Sequence, residues 1–336
     1  MKCVKRLFGG FGVLKIYNLK NADEGREWLR RVVGGQREDA IWAVKTANGG
    51  ASAGVRLIKG HHAFDASLEN FQENAAGSVF AQLIAYWQDH GGLAARDGLS
   101  EAALGWKLMQ LLQDPEYADY VPLKAVAQQH ITRPLLLGGS KFHLRLYLLV
   151  TRYPPEPRVY LARDGFAFVS EKRYDHVLTN PNDAIFSVVG DGVARSAPLD
   201  ELRQALAATG VEWAPVWASI KEVSRRLVAA YDSALHVPDA PPPPHARNGS
   251  CFDLFGLDIM LDVDRIPYIL EVNAGPNMFI NSAHPEQAAA KAGIVQALAA
   301  YTAARVTARD GAAGELSEIA ERLTLQPAFE ALLVPE

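Results

Sequence analysis

Asp258, Glu271 and Asn273 are three oxygen-bearing side chains in a stretch, FGLDIMLDVDRIPYILEVNAGPN from Phe255 to Asn277, that is otherwise rich in Leu, Ile and Val. A lone carboxylate buried in such surroundings is expensive, so acids placed there need a partner. The stretch reads as two strands, FGLDIML and PYILEVNAG, joined by the charged turn DVDRI. Strand side chains alternate faces, so Glu271 and Asn273 point the same way. Folding about Asp262 to Arg265 sets Asp258 opposite residue 270 or 271. Two carboxylates that close repel one another unless a cation lies between them, and oxygen ligands suit a hard cation such as Mg2+. A pair of acids with most other ligands missing suits Mg2+ held jointly with a nucleotide's phosphates. The competing reading is a hairpin on a sheet edge whose acids face solvent. Asp262 and Asp264 serve to solvate the turn.

A second group lies in KFHLRLYLLV. On a strand, Lys141, His143 and Arg145 share one face, and Phe142, Leu144, Leu146 and Leu148 share the other. Lys141 and Arg145 lie about 13 Å apart at Cα, too far to grip one phosphate unless their long side chains converge. Residues 131–180 hold eight Lys/Arg against four Asp/Glu in a chain that is acidic overall, which favours an anionic partner over a merely solvated basic face. The third group is Lys45, at the end of AIWAVK and ahead of a loop containing Gly49, Gly50 and Gly54. Glycine backbone can approach phosphates closely and offer N–H groups. Neither a GxxxxGK[ST] loop nor a kinase HRD and DFG set is present.

The elements that must position these residues follow from periodicity. ADEGREWLRRVV has a helical pattern. Strands are expected at residues 40–45 and 55–59, on either side of the glycine loop. Residues 60–120 turn helical, with Ser100 as an N-cap. Strands return in AVAQQHI, KFHLRLYLLVTRY and PRVYLARDGFAFV, the last folded at an Asp164–Gly165 hairpin turn. A long helix over 213–234 precedes HVPDAPPPPHARNGS, residues 236–250, whose consecutive prolines exclude helix. Another helix starts in HPEQAAAKAGIVQALAAYTAARV, and the last residues are weakly helical.

The chain has 336 residues, a formal net charge of −4 and 21% charged residues, enough for a large core and without a global field for nucleic acid or an anionic membrane. Cys3 and Cys251 belong to no CxxC or Cys/His cluster, which fits free thiols in a reducing compartment. The N-terminal segment, broken by glycines and a lysine, reads as neither signal peptide nor membrane anchor. A soluble cytoplasmic monomer is the expectation.

Taken in order, these pieces resemble the tubulin–tyrosine ligase family of ATP-grasp enzymes. FDLFGLDIMLDVDRIPYILEVNAGPNM is similar to the family's metal-binding hairpin almost position for position. QQHITRPLLLGGSKFHLRLYLLV resembles its adenine hinge and Lys-Phe-Asp-x-Arg strand, VYLARDGFAF its next hairpin with Arg163 as the arginine, and HVLTN its Leu-Thr-Asn signature at Leu178, Thr179 and Asn180. The resemblance implies an α+β, ATP-grasp fold with two lobes around a nucleotide cleft and a helical insertion. Residues 1–125 would form the N-terminal part with the insertion at about 60–120, residues 126–310 the C-terminal lobe with the Mg-ATP site, 236–250 a linker loop and 311–336 a tail. It further implies ATP and Mg2+ as cofactors, with Asp258, Glu271 and Asn273 as metal ligands. Lys45 and Lys141 would contact phosphates beside Gly49 and Gly50, and the backbone of Gln128, Gln129, His130 and Ile131 would pair with adenine. Arg145 and Arg163 would grip the acyl phosphate, the γ-phosphate or the amino acid's carboxylate, and Asn180 would line the same cleft. The implied reaction joins a free amino acid, glutamate first with tyrosine and glycine as alternatives, to a protein carboxylate such as a tubulin tail, in the cytoplasm or on the cytoskeleton. His143 departs from the family Asp, and Thr46, Ala51 and Ala53 depart from its glycine loop. Two other readings therefore stand beside this one: a degenerate nucleotide- or microtubule-binding protein, and a ligase with a non-tubulin substrate.

Overall fold

A computed structural model describes residues 14–18, 24, 27–28, 41–46, 55–59, 125–152, 158–175, 194–235, 252–310 and 316–333. Residues 60–120, expected from their periodicity to be helical, and the proline segment 236–250 lie outside the described residues. The described chain divides into two compact units. One gathers residues between Leu14 and Arg133, with Tyr174 and Asp175; the other gathers Pro134–Arg173 and the residues from Ala194 onward.

The first unit is built on strands β1 (Ile16–Asn18), β2 (Ile41–Thr46), β3 (Val55–Lys59) and β4 (Ala125–Gln129), in the order β1-β4-β2-β3. Every pairing is antiparallel. Tyr17, Trp28 and Trp42 are buried together, with ring centroids 5.5 Å apart for Tyr17–Trp42 and 6.3 Å for Trp28–Trp42. Edge-to-face contacts of this kind suit aromatic quadrupoles.

The second unit carries an eight-stranded sheet. Its strands are β5 (Leu136–Leu137), β6 (Ser140–Arg152), β7 (Arg158–Ala162), β8 (Phe166–Arg173), β9 (Ala194–Pro198), β10 (Asp253–Leu261), β11 (Pro267–Ala274) and β12 (Phe329–Leu333). The main path runs β11-β10-β6-β7-β12, with β8 also on β6 and β9 on β8. Helices α1 (Leu199–Ala208), α2 (Trp213–Leu235), α3 (Pro285–Asp310) and α4 (Glu318–Leu325) complete it.

Long β6 organises both faces. Phe142, Leu144, Leu146, Leu148 and Val150 pack into one core with Leu202 and Leu206 of α1 and Val216 and Ile220 of α2. On the other face Thr151 of β6 meets α4. There Glu321 of α4 is buried and accepts from Thr151 Oγ1 at 2.5 Å, Tyr160 Oη at 2.8 Å and Arg158 Nη1 at 3.1 Å.

Two features differ from the sequence expectation. Asp164–Gly165 is not a hairpin turn, because β7 and β8 do not pair with each other. Both run antiparallel to β6, Leu161 opposite Leu148 and Phe166 opposite Arg145, so the extra residues between them bulge from one continuous line. The crowding there demands glycine: a Cβ on Gly165 would lie 2.4 Å from the Arg145 carbonyl oxygen. The C-terminal residues, expected as weakly helical, do form helix α4 but end in edge strand β12, which was not expected. Glu330 of β12 accepts from Lys221 Nζ at 2.6 Å and Trp217 Nε1 at 3.0 Å, both from α2.

Candidate active site

The hairpin forms as expected, and its register decides the chemistry. Asp258 of β10 lies opposite Glu271 of β11 on one side and Arg145 of β6 on the other. Directly opposed residues share a face, so Arg145, Asp258 and Glu271 form a row across three strands, with Asn273 beside Glu271 in the same phase of β11. A β-bulge between Asp258 and Ile259 brings Ile259 opposite Ile269, not residue 270. The bulge lets Ile269 pack against the core while Glu271 faces the other way; in a regular strand the two would share a face.

Asp258 is buried, and its cation is Arg145. The guanidinium clasps it with both arms, Nε to Oδ1 at 2.5 Å and Nη2 to Oδ2 at 3.1 Å. Burial opposes the charge on Arg145, but the bonds to Asp258 and the charges of Asp258 and Glu271 outweigh it, leaving the guanidinium pKa above its ordinary value. Glu271, by contrast, is exposed on the edge strand and accepts from Asn273 Nδ2 at 3.1 Å. The cluster thus combines one buried, paired carboxylate with one that faces outward. Gly256 makes room for it: a Cβ there would meet Pro276 at 3.0 Å, Arg145 Cδ at 3.5 Å and Asn273 Cβ at 3.6 Å.

The face continues along β6. Lys141 is buried and follows the Gly138–Gly139 turn, both glycines at positive φ, which pairs Leu136 with Lys141. His143 lies against Phe168, ring centroids 5.0 Å apart. Tyr147, opposite Gly256, is fully buried and its hydroxyl has no hydrogen-bond partner among the described residues. Burial first, then the nearby Asp258 charge, pushes its pKa up to about 12 against the lowering effect of Arg145, so the hydroxyl stays a proton donor at neutral pH.

Arg163 is not brought to this group. Its Nε donates to the Gln326 carbonyl at 3.3 Å and its Nη1 lies 3.8 Å from Glu330. Lys45 lies in β2 opposite Val55 and Val126, and the hinge residues lie in the same first unit. There Gln128 is buried, while the N–H groups of Gln129 and His130 already bond to the carbonyls of Lys15 and Ile41, each at 2.8 Å. Gly49, Gly50 and Asn180 lie outside the described residues. Among the described residues no group of three or more His, Cys, Asp or Glu is arranged for a metal. Two carboxylates and one amide fit a hard cation that takes its remaining ligands from water or phosphate, and Asp258, Glu271 and Asn273 offer that set on one face.

Sequence reasoning missed Tyr147 and Lys291. Tyr147 continues the alternation Lys141, His143, Arg145. Lys291 is the lone charge in AAAKAGIVQALAA, and α3 carries it to the sheet, where Nζ donates to the Phe279 carbonyl at 3.1 Å.

Known proteins are similar to this chain in sequence. The chain is 33% identical over 177 residues to "Probable tubulin polyglutamylase TTLL9" of Bos taurus, covering 49% of this chain and 36% of that protein. It is 30% identical over 174 residues to "Tubulin monoglutamylase TTLL4" of Mus musculus, covering 47% of this chain and 14% of that protein. For "Tubulin polyglutamylase TTLL6" of Mus musculus the values are 29% over 172 residues, 47% and 21%. The chain therefore spans about a third or less of the length of these relatives. The sequence profile of the tubulin-tyrosine ligase family matches residues 19–309, a span that holds every strand of both sheets except β1 and β12, and with its mixed helices and antiparallel, ATP-grasp-like sheets the chain belongs to that family.

Proposed function

We propose that the protein is an ATP-dependent carboxylate–amine ligase that adds a free amino acid, glutamate first, to an acidic protein tail such as that of tubulin. The observation that carries this reading is the row Arg145–Asp258–Glu271 with Asn273, in a member of a family whose matched relatives are named as tubulin glutamylases. In the proposed reaction the γ-phosphoryl group of ATP passes to a carboxylate oxygen, giving an acyl phosphate and ADP. The amine nitrogen then attacks the acyl carbon, the C–O bond to phosphate breaks, and the nitrogen loses its proton. Each step moves negative charge without a covalent protein intermediate, so fixed cations and positioning supply most of the catalysis.

Asp258, Glu271 and Asn273 are the proposed holders of Mg2+, which when bound would neutralise phosphate charge. Lys141 serves the ATP phosphates. Arg145, held rigid by Asp258, offers its remaining N–H groups to the reacting carboxylate; an always-charged planar donor suits that task. Lys45, Gly49, Gly50, Asn180 and the 128–131 backbone remain the proposed nucleotide contacts; Arg163, engaged by Gln326 and Glu330, is not among the proposed anion-binding groups. A cytoplasmic monomer associated with the cytoskeleton fits this activity. No helix among the described residues is long and apolar enough to cross a membrane.

The test is incubation with Mg-ATP, tubulin and labelled glutamate, glycine or tyrosine in turn. Glutamate incorporation with stoichiometric ADP release is the expected result. ATP binding with no incorporation of any of the three would overturn the ligase reading in favour of a nucleotide-binding protein.

A further inference from the structure

The sheet face that bears the acids also has an aromatic floor. Phe166 lies opposite Arg145 and Phe168 opposite His143, both rings are buried, and they meet edge to face at 5.3 Å. Arg145 Cζ lies 5.7 Å from the Phe168 centroid. Lys291 descends from α3 onto the same floor, its Nζ 6.0 Å from the Phe166 centroid.

Lys291 is only 6% exposed. Its hydrogen bonds run to neutral acceptors, the Phe279 carbonyl at 3.1 Å and Gln287 Oε1 at 3.5 Å. No carboxylate among the described residues pairs with it. Burial and then repulsion from Arg145 push its pKa below the ordinary lysine value. A buried charge is normally paired; this one sits beside a like charge whose own carboxylate, Asp258, is engaged by both arms of Arg145. An ammonium has three donors, and two acceptors are accounted for.

The order of charges across the sheet indicates which anion is missing. Glu271 is on β11, Asp258 on β10, Arg145 on β6, and Lys291 stands over β8. Strands lie about 4.8 Å apart, so roughly 14 Å separates β11 from β8. The carboxylates occupy one end and the unpaired cation the other, with Arg145 between them. A triphosphate held at the acid end is remote from Lys291, whereas a single small carboxylate matches one spare ammonium donor.

We propose that Lys291 is the binding residue for the carboxylate of the incoming amino acid, whose amine is directed toward the acyl group. The proposal rests on the ligase reading above. Two variants separate charge from packing. In Lys291→Gln the side-chain amide can still donate to the Phe279 carbonyl but carries no charge; Lys291→Arg restores the charge.

With the full chain, Mg-ATP and tubulin, Lys291→Gln is expected to raise the apparent KM for glutamate at least tenfold. ATP affinity should change less than twofold and kcat at saturating glutamate less than threefold, and Lys291→Arg should recover most of the KM. A parallel loss of ATP affinity would overturn the proposal by assigning Lys291 to phosphate. An unchanged KM with a lowered thermal midpoint would overturn it by reducing Lys291 to a tie on the Phe279 loop. If the wild-type protein transfers no amino acid, the ligase reading falls, and Lys291 is judged by calorimetric titration of glutamate in the presence of a non-hydrolysable ATP analogue. Binding to wild type that Lys291→Gln abolishes would sustain the carboxylate site; no binding to wild type would end it.

Discussion

Arg145 and Asp258 show why a single residue here does more than its type announces. The sequence offers Asp258 as a metal ligand and Arg145 as an anion-binding cation. The structure joins them, so each fixes the other. Arg145→Lys keeps the charge but loses the planar two-armed grip. It should leave ATP affinity nearly intact and reduce amino-acid transfer by about 10²–10³, the usual cost of removing a charge-stabilising donor. Lys141→Ala should instead weaken ATP binding; equal ATP losses in the two variants, measured by calorimetry, would contradict the division. Glu271→Gln should collapse Mg-ATP turnover while moving stability by no more than about 0.5 kcal/mol, because the residue is exposed. Tyr147→Phe removes a hydroxyl without a protein partner among the described residues, so chemical denaturation should find no loss of stability. The types and spacing of these residues are legible in the sequence. Their partners are not, because a pairing across 113 positions is set by register and not by local pattern.

Strands and helices were easier to read than the joints between them. The hydrophobic alternation of β6 and the apolar runs of β10 and β11 reveal the strands directly. The bulge in the hairpin does not show, which is why counting from the turn left residues 270 and 271 equally placed opposite Asp258. The Asp164–Gly165 pair reads as a hairpin turn by local chemistry, yet neighbouring β6 takes both flanking strands and overrides it. Gly165→Ala should therefore destabilise the sheet by pressing a methyl group on the Arg145 carbonyl, and thermal denaturation will register it. Helix α4 is anchored by Glu321, whose replacement by Ala leaves half-buried Arg158 unpaired. Breaking such a pair costs about 3–5 kcal/mol, measurable by urea unfolding. β12 is anchored by Glu330. Burial acts to raise its carboxyl pKa, but the bonds to Lys221 and Trp217 and the charges of Lys221 and Arg163 prevail and hold it below the ordinary value. A carboxyl with a lowered folded-state pKa contributes stability above its unfolded pKa of about 4.3 and loses it as pH falls through the folded value. Between about pH 5 and pH 3 the wild type should lose more of its thermal midpoint than Glu330→Gln, and identical slopes would show that the clamp contributes nothing.

At the scale of the whole molecule, the two sheets differ in how far their strands reach along the chain. The family and the mixed helix–strand class could be read from ordered motifs, each short and local. That the last residues complete the large sheet could not, since EALL at 330–333 has too little pattern to announce an edge strand. Its place there has a consequence for synthesis. Arg163 and Gln326, which meet across the β7–β12 joint, are 163 residues apart. At a ribosomal pace of 5–20 residues per second, β7 waits roughly 8–33 s for its partner strand. Through that interval the edge of the nascent sheet presents unpaired N–H and C=O groups, the kind of surface that recruits foreign strands. A ribosome-bound chain stalled before residue 318 should be cut by protease within 140–173, and one released after residue 333 should not. Vulnerability during translation, more than equilibrium stability, is the property that the late arrival of β12 governs.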